Sequence, residues 1–374
     1  MTTTGRSRSI GPACRRFGLL VTLSLPIFLL TTSVALAHVP RLADRGATLQ
    51  TATVVDQPST SWVYYGEIGE PGDVWYYQLE LSAGDRIYLQ AMTPERDAFT
   101  PSVVLMGPGV APVGRPPASV QVPDGAQAVA KEGPRGEAWY EPFTPGAYFF
   151  PATIDTTAPQ DGSYYAAVYA SEGTGAFALA VGYRERYTLP AWIRLPADLV
   201  RIYAWDGGWA VALAPGIAVL VVGACLVWWR HRRAKRERSL SGWLAVAAGL
   251  MYLTTAATIL AQMLRAAALT GPDAAMGVTV VFIVASLVMG SLLIARGWLG
   301  GTSVPAGAAP GQTAGAAPGL TVAGRLALLV LFLAGLGLLS GYLLGPALAL
   351  AAALAPPYRR TTQSPMYRGH DRVP

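Results

Sequence analysis

The stretch Trp75-Tyr76-Tyr77-Gln78-Leu79-Glu80-Leu81 decides the fold of the first half of this chain. Large apolar side chains at positions 75, 77, 79 and 81 share one face, whereas Tyr76, Gln78 and Glu80 share the other, less buried face. This period of two predicts a β-strand with one buried face. The turn residues 82–85 (Ser-Ala-Gly-Asp) follow, and residues 86–91 resume the alternation. The two segments are therefore predicted to form a β-hairpin.

Segments of the same kind continue as far as residue 184, separated by Gly, Pro and Asp. The further strand candidates are residues 62–68, 102–106, 119–122, 126–131, 147–154, 164–170 and 176–184. Many short strands at this spacing are typical of an antiparallel sandwich. We expect residues 38–184 to form an all-β, jelly-roll-like sandwich.

Several runs in this region carry a family likeness. They are Pro71-Gly72-Asp73-Val74-Trp75-Tyr76-Tyr77, residues 79–91, Pro101-Ser102-Val103-Val104-Leu105-Met106-Gly107-Pro108, Asp161-Gly162-Ser163-Tyr164-Tyr165 and residues 173–179. In these turn and core positions the chain resembles the bacterial pre-peptidase C-terminal domain. The resemblance implies a jelly-roll-like β-sandwich of the kind appended to exported proteins as a binding or processing accessory.

The first 37 residues have the order of a secretory signal peptide. Four arginines precede an apolar stretch at residues 17–30, and Ala35-Leu36-Ala37 matches a small-x-small cleavage site. The mature chain is predicted to begin at His38.

Four apolar segments follow the sandwich region. They are residues 210–229, 243–264, 276–295 and 326–355. Because about 20 helical residues cross the hydrocarbon core of a bilayer, we expect residues 210–355 to form an α-helical membrane domain of four transmembrane helices. Residues 185–209 are rich in Trp and Arg, and we expect a juxtamembrane collar at the headgroup level; the alternative is an ordinary linker.

A basic stretch directly behind the first apolar segment indicates the orientation. It reads Arg230-His231-Arg232-Arg233-Ala234-Lys235-Arg236-Glu237-Arg238. Lys and Arg beside a membrane helix stay in the cytoplasm, so the sandwich is predicted on the extracytoplasmic side of a bacterial-type cytoplasmic membrane. The same charges are expected to contact anionic membrane lipid. Four spans would put the polar tail, residues 356–374, outside, although its four arginines outnumber its one aspartate; its side stays open.

The charge balance argues against nucleic acid as a partner. Residues 38–206 contain 11 Lys and Arg against 19 Asp and Glu, a net charge of −8, while the whole chain carries +6. The positive charge therefore belongs to the leader, the basic stretch and the tail. A water-facing domain that is acidic does not have the electrostatic footprint of a nucleic-acid-binding protein.

Candidate site residues are few. Tyr65, Tyr76, Trp139 and Tyr165 are candidates for a ligand-binding aromatic face, because adjacent aromatic residues on a strand point to opposite faces; core packing is the alternative explanation. An N-terminal His38 can chelate copper through its amino group and imidazole, unless signal cleavage merely happens to expose a histidine. No cofactor other than copper is expected.

Non-catalytic recognition or assembly is the function we expect, with envelope proteins or an extracellular ligand as partners. An enzyme is not expected, because His38 is the only secure external histidine and an external Ser-His-Asp set cannot form. Two alternatives stay open: an exported copper-handling protein that uses His38, and a membrane subunit of a transport complex. A transport path needs polar groups within the spans, and the four segments hold only a few Ser, Thr and Gln residues.

Overall fold

The structure is a computed structural model, and it describes residues 38–42, 45–96, 99–234, 238–299 and 322–356. The predicted signal peptide, Lys235, Arg236 and the predicted tail beyond Pro356 lie outside the described residues.

Eleven strands in the described ranges form two sheets that face each other, as expected for a sandwich. The strands are β1 Val39–Leu42, β2 Thr53–Val54, β3 Trp62–Ile68, β4 Val74–Leu81, β5 Arg86–Pro94, β6 Ser102–Gly107, β7 Gln127–Lys131, β8 Trp139–Glu141, β9 Gly146–Thr157, β10 Gly162–Tyr169 and β11 Gly175–Val181. The six-stranded sheet has the order β1-β3-β11-β5-β9-β8, and the five-stranded sheet has the order β2-β4-β10-β6-β7. Leu79, Leu89, Leu105 and Leu179 come from both sheets into one buried core.

The predicted hairpin between residues 75–81 and 86–91 is wrong, although both strands exist. β4 pairs with β2 and β10, whereas β5 pairs with β11 and β9, so the turn at residues 82–85 crosses from one sheet to the other. Leu79 and Leu89 nevertheless face the same core and are almost completely buried. Alternation therefore identified the buried face of each strand but not its partner.

Residues 119–122 were predicted as a strand and form a turn instead. Val120 is buried against the outer face of the five-stranded sheet. The backbone N–H of Gln121 donates to Tyr76 Oη at 2.7 Å. A side-chain hydroxyl thus accepts the hydrogen bond that a carbonyl of a neighbouring strand would accept in a sheet.

Six helices lie in the remaining described residues. They are α1 Leu189–Gly207, α2 Trp209–Ala234, α3 Leu240–Thr270, α4 Met276–Leu299, α5 Val322–Gly337 and α6 Leu344–Leu354. By length and composition, three of these helices can cross a membrane: Trp209–Arg233, Leu240–Thr270 and Met276–Trp298. They contain the first three predicted segments. The second predicted segment ended at residue 264, whereas α3 continues to Thr270, so Arg265 is helical.

The fourth predicted segment, residues 326–355, is not one continuous helix. α5 ends at Gly337, and α6 begins only at Leu344. Between them Leu339, Gly341 and Tyr342 adopt φ angles of 51°, 73° and 54°, in the left-handed region that a right-handed helix excludes. The expectation of a fourth transmembrane helix is therefore not met by either α5 or α6 alone.

The region predicted as a juxtamembrane collar, residues 185–209, contains α1. Thr188 caps this helix by accepting a hydrogen bond from the Ala191 N–H, and the chain turns into α2 at Gly208, whose φ is 86°. One face of α1 is buried, and Trp205 on that side contacts the six-stranded sheet. Its position at a membrane surface stays a prediction.

Candidate recognition site at the junction of the sandwich and the helices

The four predicted aromatic residues do not form one face, because they belong to two different sheets. Tyr65 lies on β3 and Trp139 on β8 of the six-stranded sheet, while Tyr76 lies on β4 and Tyr165 on β10 of the five-stranded sheet. Tyr76 was expected on the less buried side of its strand. It is instead 1% exposed beneath the turn that contains Val120, where it joins the same outer cluster as Tyr165.

Tyr65 and Trp139 lie in one aromatic group on the outer face of the six-stranded sheet. Trp205 of α1 covers Tyr65 with ring centroids 4.9 Å apart, and it also contacts Tyr148 at 6.0 Å. Phe150 packs in the same group and holds Trp139 edge-on at 5.8 Å. Trp139 is the exposed end of this group, with 48% of its surface accessible. A large aromatic side chain that is both held by a neighbour and half exposed is suited to binding.

The turn between β8 and β9 contacts the beginning of α4. Thr279 donates its hydroxyl hydrogen to the Pro142 carbonyl at 2.8 Å, so Tyr140 Oη donates to Thr279 Oγ1 at 2.7 Å. One turn further along α4, Phe282 packs against Phe143 with ring centroids 6.3 Å apart. This hydrogen-bonded and apolar contact fixes the β8–β9 turn on the helix.

A buried ion pair lies at the same junction. Arg265 of α3 forms a salt bridge with Asp206 at the end of α1, and the Asp206 side chain is completely buried. Glu95, which directly follows β5, lies 3.7 Å from the same guanidinium. Arg265 therefore joins α3, α1 and the sandwich.

An open cavity of about 390 Å³ lies between the β8–β9 region and the end of α3. Glu137, Ala138, Phe149, Leu269 and Thr270 line it. Its volume is at the lower end of the range of small-ligand sites. The lining residues Glu137 and Ala138 directly precede Trp139 in the chain. The exposed aromatic ring and the cavity therefore belong to the same edge of the sandwich.

Glu141 at the end of β8 has an unusually high pKa for a carboxyl group. Burial raises the pKa of Glu141 to about 7, and the hydrogen bond from the Phe143 N–H at 3.1 Å lowers it only in part. This carboxyl group therefore changes charge near neutral pH, next to the turn that contacts α4.

The histidine predicted to bind copper lies immediately before β1, with an exposed side chain. Within the described ranges, no three His, Cys, Asp or Glu side chains come together in a way that could hold a metal ion. Copper binding through the amino group and imidazole of His38 stays a prediction.

The described residues of the basic stretch, 230–234 and 238, lie at the opposite end of the helices from the sandwich, and we call this the arginine end. Arg232 stacks on Trp228 at 4.0 Å, Arg233 stacks on Trp229 at 3.9 Å, and Arg238 lies 3.4 Å from the ring centre of Trp298 at the end of α4. Arg230 ends the apolar part of α2. Tryptophan and arginine together are typical of a membrane–water interface.

Sequence reasoning singled out neither Asp206, Glu141 nor Thr279 as a site residue. Asp206 and Arg265 could have been found from the sequence, because each is a lone charge at the border of an apolar segment. Charges near a membrane are costly unless they are paired, so such a charge indicates a partner. No local signal identifies Thr279, because its partner Pro142 is 137 positions away in the chain.

Comparisons with known proteins give matches only at the level of solved structures. Neither a protein-family model nor a curated protein matches the chain. The matching structures include the pre-peptidase C-terminal domain of a collagenase from Bacillus anthracis, at 14% identity over 35% of this chain and 93% of that domain, with a TM-score of 0.21. They also include CorA, a surface-associated copper-binding protein important in copper acquisition in Methylomicrobium album BG8, at 13% identity over 39% of this chain and 100% of that chain, with a TM-score of 0.20. The domain class that the sequence resembles is thus among the matches, and TM-scores this low say nothing of function.

Proposed function

We propose that this protein is a membrane-anchored, non-catalytic recognition protein of the cell envelope. Its helices cross a bacterial-type cytoplasmic membrane with the arginine end inside, because Lys and Arg beside a span remain cytoplasmic. The sandwich then faces the extracytoplasmic side, where it binds an envelope protein or an extracellular ligand.

The exposed ring of Trp139 on β8 is the observation that carries the proposal. β8 is the last strand of the six-stranded sheet, so its outer edge can accept an extended segment of a partner. Beside this edge lies the cavity lined by Phe149 and Leu269, which offers an apolar side chain of that segment a place to bind. Exposed tryptophan next to a pocket is the usual composition of a binding hot spot.

The contacts of the β8–β9 turn with α4 support the same role. Because Tyr140, Thr279 and Pro142 are hydrogen-bonded across the junction, the binding edge is held in one position relative to the membrane helices. A preorganised edge loses less conformational entropy on binding than a free loop does.

Photo-crosslinking in the native membrane tests the proposal. A photoreactive amino acid at position 139 of the full-length chain should crosslink to a specific envelope protein or ligand. The same residue at position 54 should not, although Val54 is 60% exposed and also lies on an edge strand, β2 of the other sheet. The Trp139→Ala variant should lose the co-purifying partner by about tenfold or more, which corresponds to about 1.4 kcal/mol, while Val54→Ala retains it. Equal crosslinking at both positions, or full retention of the partner by Trp139→Ala, would end the proposal.

A further inference from the structure

The end of α6 lies at the arginine end of the helices. Ser241, the second residue of α3, donates its hydroxyl to the Ala352 carbonyl at 2.7 Å. Ala352 is the third residue from the end of α6. A fourth segment that crossed the membrane would bring Ala352 to the other end of α3, near Thr270.

The neighbours of α5 and α6 lie in the same half of the bundle. Both helices belong to one apolar cluster with members of α3 between residues 244 and 252 and members of α4 between residues 285 and 293. Leu328 of α5 and Ala349 of α6 are buried members of this cluster. α5 and α6 also pack against each other, side by side.

We call α5 and α6 the two arms, and Tyr252 of α3 lies between them. Its hydroxyl donates to the Leu331 carbonyl of α5 at 2.9 Å. Its ring lies so close to Gly345 of α6 that an added Cβ there would be 2.7 Å from Cε1. Gly335 of α5 borders the same ring. One tyrosine thus contacts both helices at the same depth, as antiparallel arms require.

The break between α5 and α6 lies at the middle of α3 and α4. Gly341 donates its backbone N–H to Thr255 Oγ1 at 2.8 Å, and the hydroxyls of Ser340 and Ser286 are 2.6 Å apart. Thr255 is the sixteenth of the 31 residues of α3, and Ser286 is the eleventh of the 24 residues of α4. The tip of the two arms therefore stops halfway along both neighbours.

Hydrogen bonding at the tip permits irregular backbone at membrane depth, where an unpaired N–H costs several kcal/mol. The backbone N–H groups of Leu338, Leu339, Ser340, Gly341 and Tyr342 all donate, to Ala334, Leu336, Gly335, Thr255 and Leu339 in turn. These five donors of the tip thus need no water as an acceptor.

We propose that α5 and α6 form a re-entrant helical hairpin, which enters the membrane from the arginine end and returns to that end. The protein then has three spans, α2, α3 and α4, and the chain leaves α6 on the cytoplasmic side. The lengths agree, because 16 and 11 helical residues extend about 24 Å and 17 Å, less than the hydrocarbon core of about 30 Å.

This topology removes a conflict in the charge distribution. With four spans, the four arginines after residue 356 would lie outside, against the positive-inside rule. With three spans and a re-entrant hairpin, they lie on the same side as the basic stretch.

Thiol accessibility in intact cells distinguishes the two topologies. Single-cysteine variants of the full-length chain, with Cys14 and Cys225 replaced by Ser, carry the thiol at position 356, at position 54 or at position 232. Val54 on the sandwich is the outer reference, and Arg232 at the arginine end is the inner reference; both are exposed. A membrane-impermeant maleimide should label Val54→Cys in intact spheroplasts. Pro356→Cys should react only after permeabilisation, as Arg232→Cys does.

A second readout covers the case of an unreactive thiol. A fluorescent protein that matures only in the cytoplasm, fused behind Pro374, should be fluorescent, whereas an alkaline phosphatase fused there should be inactive. Labelling of Pro356→Cys in intact spheroplasts, or an active phosphatase fusion, would overturn the hairpin. Neither result depends on a partner bound at Trp139, so the topology and the proposed recognition function fail separately.

Discussion

Removing the guanidinium of Arg265 should destabilise the junction far more than removing a comparable guanidinium from the surface. Arg265→Gln leaves the completely buried carboxylate of Asp206 without its counter-charge. Breaking a buried ion pair on one side costs about 3–5 kcal/mol. The matched control is Arg86→Gln, which breaks the pair with Asp155 at 2.6 Å, where both side chains are 47% exposed. Exposed pairs contribute about 0–1 kcal/mol.

The measurement is the thermal unfolding midpoint of the full-length protein in one detergent, followed by tryptophan fluorescence. An unfolding entropy of about 2.1 cal/mol/K per residue gives roughly 1.3 °C per kcal/mol for a chain of 374 residues. Arg265→Gln should therefore lower the midpoint by roughly 4–6 °C. Arg86→Gln should shift it by no more than about 1 °C. The double variant Asp206→Asn/Arg265→Gln should recover part of the loss, because a neutral pair leaves no buried charge. If Arg265→Gln and Arg86→Gln shift the midpoint equally, the buried pair does not hold the junction.

Two further predictions concern Glu141 and the tip of the hairpin. The pKa of Glu141 is about 7 in the folded protein and near 4.5 in the unfolded chain. Between these two pH values the folded state binds one proton more than the unfolded state does. The free energy of unfolding should therefore fall as the pH rises from about 4.5 to about 7, by at most about 3 kcal/mol. Glu141→Gln should flatten this part of the profile and raise the unfolding midpoint at pH 8; a profile parallel to that of the wild type would contradict it. Gly345→Ala should cost about 1–3 kcal/mol, because the new Cβ would lie 2.7 Å from the Tyr252 ring. Gly277→Ala, where a Cβ meets nothing within 4 Å, is the control and should not destabilise; equal unfolding midpoints for both variants would show that Tyr252 does not fill the space between the arms.

The strand faces that point into the core between the two sheets could be predicted from the sequence, because alternation is a local pattern. The burial of Tyr76 on the opposite face could not, because the turn that covers it lies far away in the chain. Tyr77 and Leu79 are buried in the core, as their alternation indicated. Strand pairing could not be predicted in the same way. Arg86 pairs with Thr157 and Leu81 with Gly162, and nothing in the turn at residues 82–85 indicates either distant partner.

The helices show the same limit. Length and apolar composition identify α2, α3 and α4, because crossing a bilayer is a requirement on each segment alone. The break in the fourth segment depends on hydrogen bonds to Thr255 and Ser286, which lie far away in the chain. Of the candidate site, Trp139 was found as an aromatic on a strand, but the contact of Tyr140 with Thr279 depends on how two separate regions meet.

The strand order also determines when the sandwich can form as the chain is synthesised. β11 lies between β3 and β5, and β10 lies between β4 and β6, so the last two strands to be synthesised are the central strands of the two sheets. The five-stranded sheet consists of two separated parts until residue 169 has been synthesised, and the six-stranded sheet does so until residue 181. The sandwich is therefore complete only when its last strand has been made, and a chain that stops before Gly175 would leave the facing edges of β3 and β5 unpaired, open to pairing with other chains.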